Sequence, residues 1–277
     1  MIIAIASGKG GTGKTTVATN FALSLKGGVQ FLDCDVEEPN AHIFIKPHIT
    51  DKKEVFIPVP EIDESFCNAC GRCKEVCAYN AIAVLGQKAL VFQELCHGCG
   101  SCSYFCPQEA IHEVHKVIGH VERGNNRGLD FVHGILKIGE PMAPPLIKAV
   151  KRYVNSSKVT VIDAPPGTSC PVIAAIKDSD FVILVTEPTP FGLHDFKLAV
   201  EVVKKLTIPF GAIINRSDLG NQATEAYCKK EEIPILMRIP FQKQIASAYS
   251  RGELLIDLFP GYRQRFHRLF EDIKNSI

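Results

Sequence analysis

Short apolar runs alternate with stretches of helical period through most of the chain. An apolar run at residues 1–6 is followed by a glycine-rich segment and by residues 15–26, where Val17, Phe21 and Leu25 recur on one side of a predicted helix. Further strands are predicted at residues 29–32, 131–138, 159–162, 181–185, 210–214 and 233–238. Further helices are predicted at residues 143–154, 192–206, 219–231, 241–251 and 262–277. This alternation predicts an α/β fold with a mainly parallel, twisted sheet and helices on both faces.

Residues 58–117 break this pattern. They show no long helical period, and they contain seven acidic and four basic residues, a net charge of −3. The whole chain has 277 residues and a formal charge of +1. We therefore predict a main domain formed by residues 1–57 and 118–277, with a small acidic α+β module inserted at residues 58–117.

The apolar content and the net charge of the chain limit the classes of partner that we expect. Apolar residues make up 46% of the chain, enough for a packed core, and no apolar run approaches the roughly 20 residues of a membrane span. The near-neutral charge argues against binding nucleic acid or an anionic membrane through bulk charge.

The chain starts on an apolar run without the features of a signal peptide, so we expect a cytoplasmic protein. Residues 262–277 are amphipathic, which fits a membrane-targeting helix or a helix packed on the sheet; the few basic residues after Arg268 favour packing.

Eight of the 11 cysteines fall within one short segment and form an internal repeat. The spacing Cys-x2-Cys-x2-Cys-x3-Cys occurs twice, at Cys67–Cys77 and at Cys96–Cys106, with starts 29 residues apart. Disulfides are rare in a reducing compartment, so eight clustered cysteines indicate metal binding. Zinc is one alternative, but a zinc site usually takes four ligands, and this repeat supplies more.

The repeat resembles the run of bacterial two-cluster ferredoxins, in which the fourth cysteine of each run ligates the other cluster. The resemblance implies two [4Fe–4S] clusters. The first would be held by Cys67, Cys70, Cys73 and Cys106, and the second by Cys77, Cys96, Cys99 and Cys102. Pro107 follows Cys106 as in that run, whereas Ala78 follows Cys77, a departure that concerns the turn more than the ligation.

A glycine-rich loop joins the first predicted strand to the first helix. Residues 8–15 fit the phosphate-binding pattern G-x-x-x-x-G-K-[ST] in its strand-to-helix context. Inward-pointing backbone N–H groups and the positive helix N-terminus bind phosphates. We predict ATP contacts from Gly8, Lys9, Gly10, Gly11, Thr12, Gly13, Lys14, Thr15 and Thr16. Lys14, a predicted catalytic residue, would reach the β- and γ-phosphates, and Thr15 would ligate Mg²⁺.

The segment from Lys9 to Thr15 resembles the deviant Walker A signature of the MinD, ParA and nitrogenase iron-protein ATPases. Two further segments resemble parts of that family: residues 33–40 resemble switch I, and residues 163–168 (Asp-Ala-Pro-Pro-Gly-Thr) resemble Walker B with switch II. Asn215 and Pro240 lie where relatives hold and cover the adenine. The resemblance extends over nearly the whole chain outside residues 58–117, and it implies a P-loop ATPase.

The same resemblance implies roles for single residues. Lys9 would reach the nucleotide of the other protomer in an ATP-sandwich homodimer, as an arginine finger does. Asp35 would orient or activate the attacking water. Asp163 would lie near Mg²⁺, and Asp33 would either support the ion through water or orient the loop. Gly167 would approach the γ-phosphate through its backbone N–H.

Three cysteines lie outside the repeat. Cys34 and Cys228 are predicted to be packed. Cys170 lies seven residues after Asp163, where the nitrogenase iron protein has a cluster ligand on its dimer axis, but residues 118–158 supply no second cysteine. A dimer-axis cluster ligand and a small residue before Pro171 both stay open for Cys170.

Three functions follow as hypotheses. The first is a slow, partner-stimulated ATPase that couples dimer switching to electron transfer, through both clusters, to a redox partner protein. The second is an iron–sulfur cluster carrier or a maturation factor for metalloenzymes, slightly favoured by the Pro-Pro-Gly-Thr segment and Cys170. The third is a positioning or regulatory switch like MinD.

Overall fold

The structure of the chain, a computed structural model, describes residues 1–277. Its strands are β1 (Ile2–Ala6), β2 (Val29–Asp33), β3 (His48–Ile62), β4 (Ile82–Leu85), β5 (Lys88–Val91), β6 (Ile111–Asn126), β7 (Leu129–Leu136), β8 (Val159–Asp163), β9 (Phe181–Thr186), β10 (Phe210–Asn215) and β11 (Ile235–Ile239). Its α-helices are α1 (Lys14–Ala22), α2 (Ala41–Ile45), α3 (Arg72–Glu75), α4 (Ser101–Tyr104), α5 (Ala143–Lys151), α6 (Cys170–Ile176), α7 (Pro190–Lys205), α8 (Ala223–Lys230), α9 (Lys243–Ser250), α10 (Leu255–Leu258) and α11 (Pro260–Ser276).

Nine of the strands form one sheet in the order β11-β10-β9-β1-β8-β2-β7-β6-β3. The pairs from β11 to β7 are parallel, and β6 runs antiparallel to both β7 and β3. Strands β2 and β9 are buried along their whole length, as strands with helices on both sides must be. The predicted α/β fold with a mainly parallel sheet is confirmed.

A hydrophobic core lies on each face of this sheet. Helices α5, α6 and α7 pack on one face, and α1, α2, α10 and α11 pack on the other. Helix α11 buries Tyr262, Phe266, Leu269 and Ile273, so its apolar stripe faces the protein core, as the packed-helix interpretation predicted. In this structure no helix combines the length and the apolar composition that crossing a bilayer requires.

Strands β3 and β6 form a long antiparallel ribbon that the sequence pattern did not predict. They have 15 and 16 residues, and they pair from His48 with Asn125 to Ile62 with Ile111. Most of β3 is exposed or half-buried, so it carries no continuous apolar run. The ribbon crosses both ends of the predicted module, and residues 58–117 therefore continue the main sheet through backbone pairing. The boundaries at 58 and 117 stay predictions.

The cysteine segment lies at the end of this ribbon. The β4–β5 hairpin, the short helices α3 and α4 and the end of the ribbon surround a small core of Cys73, Ile82, Cys102 and Ile111. Gly71 precedes α3 and Gly100 precedes α4, both with positive φ, at the 29-residue spacing of the cysteine repeat. The sequence repeat is therefore also a structural repeat.

Several predicted helices are shorter in the structure, and two of them lack four residues at one end. Helix α1 ends at Ala22 instead of residue 26, ahead of Gly27 and Gly28, which both have positive φ. Helix α8 begins at Ala223 instead of residue 219, because Gly220 has φ 101° and cannot continue a right-handed helix.

Candidate nucleotide site and cysteine pockets

The glycine-rich loop lies between β1 and α1, where two glycines are needed for close approach. A Cβ atom at Gly8 would lie 2.1 Å from the carbonyl oxygen of Asp195, and one at Gly13 would lie 2.3 Å from Asn215 Nδ2. Gly13 also has φ 91° at the start of α1. Space around Gly10 and Gly11 is open, and the buried Thr12 hydroxyl has no hydrogen-bond partner. The loop is therefore compact at its two ends and open in its middle.

Lys14 lies among three aspartates at the ends of adjacent strands. Its Nζ is 3.0 Å from Asp163 Oδ1 and 3.4 Å from Asp35 Oδ2. Asp33 and Asp163 are paired in register on β2 and β8, and both are fully buried. The structure thus brings together Lys14, Asp33, Asp35 and Asp163, which the sequence had assigned to one site.

The charges of this group shift the pKa of several members. Burial acts to lower the pKa of Lys14, but Asp163 and Asp35 outweigh it and the pKa is raised. Burial, followed by the charge of Asp163, raises the pKa of Asp33 well above its usual range. Burial also raises the pKa of Asp35 to about 6, against the opposing charge of Lys14. Three carboxylates thus share a single lysine, and a divalent cation would complement the excess negative charge.

The residues present fit a magnesium ion on the Asp163 side of this group. Asp163 Oδ2 is buried without a hydrogen-bond partner, and Thr15 is buried beside the loop. Carboxylate and hydroxyl oxygens are the donors that Mg²⁺ prefers. Asp33 differs, because its two oxygens accept the backbone N–H groups of Asp35 and Ala41, both at 3.1 Å. Of its two predicted roles, the geometry therefore favours orienting switch I over supporting the ion.

Lys9 is held by an acid of its own chain. Its Nζ lies 2.5 Å from Glu187 Oε1, and Glu187 Oε2 accepts a second bond from Arg216 at 2.8 Å. The side chain of Glu187 is only 9% exposed. The residue directly follows β9, which pairs with β1. Sequence reasoning assigned no bond to Glu187, because a contact between residues 178 positions apart leaves no local signal. Gly167 also has a partner within the chain, since its N–H donates to the Ser7 carbonyl at 3.0 Å.

A pocket with about 890 Å³ of empty space opens beside the loop. Its lining includes five residues predicted to contact ATP: Gly11, Gly13, Thr16, Asn215 and Pro240. Asn215 is fixed there by donating from Nδ2 to the Thr12 carbonyl at 2.8 Å. Helix α9 closes the far side with apolar residues such as Ile245 and Tyr249, which the sequence had not assigned to the site. Apolar walls with a few fixed polar groups suit a planar base.

The eight repeat cysteines line two separate pockets. The first cysteine pocket is lined by Cys67, Cys70, Cys73 and Cys106, and the second cysteine pocket by Cys77, Cys96, Cys99 and Cys102. Their empty spaces are about 340 Å³ and 390 Å³. Each pocket takes three cysteines from one repeat and the fourth from the other, the grouping that the ferredoxin resemblance implied. Cluster binding itself stays a prediction.

The arrangement within the pockets fits a cluster better than a single ion. No three His, Cys, Asp or Glu side chains converge closely enough to hold one metal ion. Four thiols instead surround a space, as the corners of a [4Fe–4S] cube require. Backbone N–H groups of Ala81 and Gly98 lie 3.3 Å and 3.4 Å from the sulfurs of Cys77 and Cys96, and such donors stabilise cluster thiolates.

The remaining cysteines fall into two classes. Cys34 and Cys228 are fully buried, and burial raises the pKa of both thiols, that of Cys228 to about 11. They pack as predicted. Cys170 is exposed at the first position of α6, directly after switch II, so its thiol is accessible from outside the chain.

Comparison with known proteins identifies relatives of the whole chain. The family model of the CobQ/CobB/MinD/ParA nucleotide binding domain matches residues 3–256. An uncharacterized protein of Methanocaldococcus jannaschii is 33% identical over 264 residues, covering 91% of this chain and 90% of that protein. An iron–sulfur cluster carrier protein of Pyrococcus horikoshii is 24% identical over 269 residues, covering 90% of this chain and 77% of that protein.

Solved structures share the fold. The septum site-determining protein MinD of Pyrococcus horikoshii, in complex with Mg-ADP, aligns with a TM-score of 0.61 at 20% identity and covers 98% of this chain and 95% of its own. The cell division ATPase MinD of Pyrococcus furiosus aligns with a TM-score of 0.59 at 21% identity, covering 100% of this chain and 99% of its own.

Proposed function

Because this chain belongs to the CobQ/CobB/MinD/ParA family of nucleotide-binding domains, we propose that it is an ATP-hydrolysing iron–sulfur protein that serves as a cluster carrier or as a maturation factor for metalloproteins. One observation carries the proposal: two four-cysteine pockets lie on a ribbon that continues the sheet of the nucleotide site. The cluster carrier among its relatives supports the assignment to iron–sulfur chemistry.

In this proposal the residues around Lys14 perform the hydrolysis. Lys14 leaves its bonds to Asp35 and Asp163 to bind the β- and γ-phosphates. Asp35, 13% exposed and at the rim of the group, is then free to accept a proton from the attacking water. Asp163 and Thr15 would hold Mg²⁺, which supplies charge neutralisation at the phosphates when bound. Asp33 keeps switch I in place through its two backbone bonds.

A second copy of the chain completes the site in this proposal. Lys9 would leave Glu187 and reach the nucleotide of the other protomer, so that ATP closes a homodimer and hydrolysis opens it. Closure would also bring the two exposed Cys170 thiols towards the dimer axis, where we keep them as candidate ligands of a transferred cluster. The two cysteine pockets would hold resident [4Fe–4S] clusters, which supply one-electron chemistry when bound.

Iron content tests the cluster assignment. We expect about eight irons and eight sulfides per chain in anaerobically prepared protein if only the cysteine pockets are filled, from two clusters of four irons each. A value near ten would add a cluster shared at Cys170. A stoichiometry of one or two zinc ions and no sulfide would overturn the assignment.

Transfer to an acceptor tests the carrier function. The loaded chain is mixed anaerobically with an apo-protein that needs a [4Fe–4S] cluster, with and without Mg-ATP. We expect the acceptor to gain iron and sulfide faster with ATP, and Lys14→Ala to abolish the ATP effect while leaving the iron content of the chain unchanged. Retention of all iron by the chain in every nucleotide state would overturn this function.

Electron transfer to a redox partner is the second candidate. It is favoured by the enclosure of each pocket by four cysteines, which suits a cluster that stays in place. The same mixture distinguishes the two functions. A partner protein that becomes reduced without gaining iron, at a rate that depends on ATP, would establish electron transfer.

A further inference from the structure

We infer that the two cysteine pockets are electrically unequal, so that the first holds its cluster at the higher reduction potential and an electron entering the module rests there. The inference depends on the proposed function only in that each pocket must hold a [4Fe–4S] cluster.

The internal repeat provides a position-by-position comparison of the two pockets. A residue that the first pocket takes from the first repeat has its counterpart in the second pocket 29 residues later, and a residue that it takes from the second repeat has its counterpart 29 residues earlier. Gly71 and Gly100 show that the relation holds in space, because they precede α3 and α4 with φ of 83° and 74°. Differences between counterparts therefore report what distinguishes the two clusters.

Two pairs of counterparts differ in charge. Arg72 lines the first pocket, and its counterpart in the second is Ser101. Val84 lines the first pocket, and its counterpart in the second is Glu113. The first pocket thus has a cation and no carboxylate among these positions, and the second has a carboxylate and no cation. A negative charge beside a cluster opposes its reduction and lowers its potential.

Glu113 accounts for most of the difference in charge between the two pockets. A Cβ atom at Gly100 would lie 2.9 Å from Glu113 Oε1, so the carboxylate touches the loop between Cys99 and Cys102. Glu113 forms no ion pair, whereas Arg72 is paired with Glu75 at 3.1 Å. Lys116, whose charge acts on Cys96, is paired with Glu140 at 2.8 Å.

Three contacts act in the opposite direction. The backbone N–H groups of Ala81 and Gly98 lie 3.3 Å and 3.4 Å from cysteine sulfurs of the second pocket. The Ser101 hydroxyl lies 3.5 Å from Cys99 Sγ. Hydrogen bonds to these sulfurs would raise the potential of the second cluster. A full negative charge acts on a neighbouring cluster more strongly than neutral hydrogen bonds do, so Glu113 decides the order.

Two stacked aromatic side chains beside the second pocket increase the expected difference in reduction potential between the clusters. Tyr79 and His97 lie beside the second pocket with their rings stacked, 3.6 Å between centroids and 5° between planes. Their counterparts in the first pocket are Gln108 and Asn68. Apolar ring faces solvate a neighbouring negative charge less well than two amides do, and a less solvated cluster accepts a further negative charge less readily.

The order of potentials gives the electron a direction. The second pocket is lined by Pro58 and Pro60 of β3, and the first by Ile62 and Ile111 at the end of the ribbon. A one-electron donor protein would reduce the module, and the electron would pass from the second cluster to the first, one centre being oxidised as the other is reduced, with no proton required. The electron would then reside in the first pocket, at the end of the ribbon away from the main sheet.

A redox titration followed by electron paramagnetic resonance tests the inference on anaerobically prepared protein. Iron content and the signals of both clusters are established first, and their absence would count against the proposed function, not against the inequality. Cys106→Ser and Cys77→Ser then assign the signals of the first and second cluster.

The wild type is expected to give two separate potentials, the lower one belonging to the second cluster. Glu113→Gln should raise that lower potential and leave the other in place, and Arg72→Ser should lower the higher one. Glu94→Gln, at an exposed acid outside both pockets, is the matched control and should change neither. A single potential for both clusters, or a Glu113→Gln variant whose second cluster titrates as in the wild type, would overturn the inference.

Discussion

Asp35 is the least buried carboxylate around Lys14 and the one that we assign to the attacking water. Asp35→Asn keeps the size of the side chain but removes the proton acceptor. We expect ATP binding to persist and hydrolysis to fall by about 100-fold or more, the usual contribution of a positioned base. Steady-state turnover and nucleotide binding measure the two effects. Glu37→Gln, at an exposed acid of the same loop, is the control, and an Asp35→Asn variant with wild-type turnover would contradict the assignment.

In the proposed dimer, the bond between Lys9 and Glu187 would oppose closure. Lys9 could not reach a second protomer while Glu187 holds it, and a hydrogen bond to a charged group contributes about 1.5–3 kcal/mol. Glu187→Gln should therefore let ATP close the dimer at roughly tenfold lower protein concentration, as measured by sedimentation. Glu225→Gln, which weakens an exposed pair with Arg238, should leave dimer formation unchanged. A weaker dimer in Glu187→Gln would instead assign Glu187 to the interface.

A buried histidine gives the fold a pH dependence. His133 is 3% exposed, its Nε2 lies 3.0 Å from Glu122 Oε2, and its ring packs against His42 of α2. Burial lowers the pKa of His133, against the opposing effect of Glu122. The unfolded chain therefore binds the proton more readily than the folded one, and stability falls as the pH drops below about 6.5.

This dependence can be measured by denaturant unfolding between pH 7 and 5. The contribution of one group is at most about 1.4 kcal/mol per pH unit. His133→Phe keeps an aromatic ring beside Phe131 and His42 and should flatten the slope. His194→Phe, at an exposed histidine, should keep the wild-type slope. Equal slopes in all three proteins would exclude His133 as the source.

Residues differ in how far the sequence reveals their role. The cysteine grouping and the Lys14 loop could be predicted because fixed spacings within short segments encode them. The bonds of Lys9 to Glu187 and of Asp33 to switch I could not, because they depend on how distant strands align. Position in the sheet, and not residue type, decides them.

At the scale of elements, α2 connects switch I to the ribbon. Asn126, the last residue of β6, donates from Nδ2 to the carbonyls of Ile45 and Lys46 at 2.7 Å and 2.9 Å. These bonds satisfy the C-terminal end of α2, which follows the switch I segment at residues 33–40. The same strand thus contacts α2, the helix that follows the switch I segment, at one end and the cysteine segment at the other.

Removing this connection should loosen α2. Asn126→Ala is expected to lower the free energy of unfolding by about 1–2 kcal/mol and to speed amide hydrogen exchange in residues 41–46. Unfolding curves and exchange mass spectrometry measure both. Asn125→Ala, whose side chain forms no hydrogen bond, is the control. Unchanged exchange in Asn126→Ala would show that α2 is held by its apolar contacts alone.

Strands and helices with a clear hydrophobic pattern were predicted well, whereas the ribbon of β3 and β6 was not predicted. Buried parallel strands are mostly apolar, so β1, β2, β8, β9 and β10 stand out in the sequence. Strands β3 and β6 are solvated along much of their length and are stabilised by pairing with each other, which leaves charged residues free to occupy them. A strand stabilised mainly by backbone pairing has little signature in hydrophobicity.

At the scale of the whole molecule, the two halves of the cysteine segment depend on each other. Each pocket borrows its fourth cysteine from the other repeat, so neither repeat could complete a pocket alone. Cys106→Ser, in the second repeat, should therefore remove the cluster whose other three ligands lie in the first. We expect iron to fall from about eight to about four per chain, with the second cluster's signal retained. Loss of the second cluster's signal instead would contradict the crossed grouping.

The length of β6 has a mechanical consequence. Strand β7 supports only residues 119–126 of β6, so the part at residues 111–118 projects beyond β7 for about 26 Å, at about 3.3 Å per residue. A stiff arm of that length magnifies small rotations at its base, and about 10° of tilt would displace its far end by about 5 Å. A shift of switch I too slight to alter the nucleotide site could in this way decide whether the cysteine pockets come within reach of another molecule.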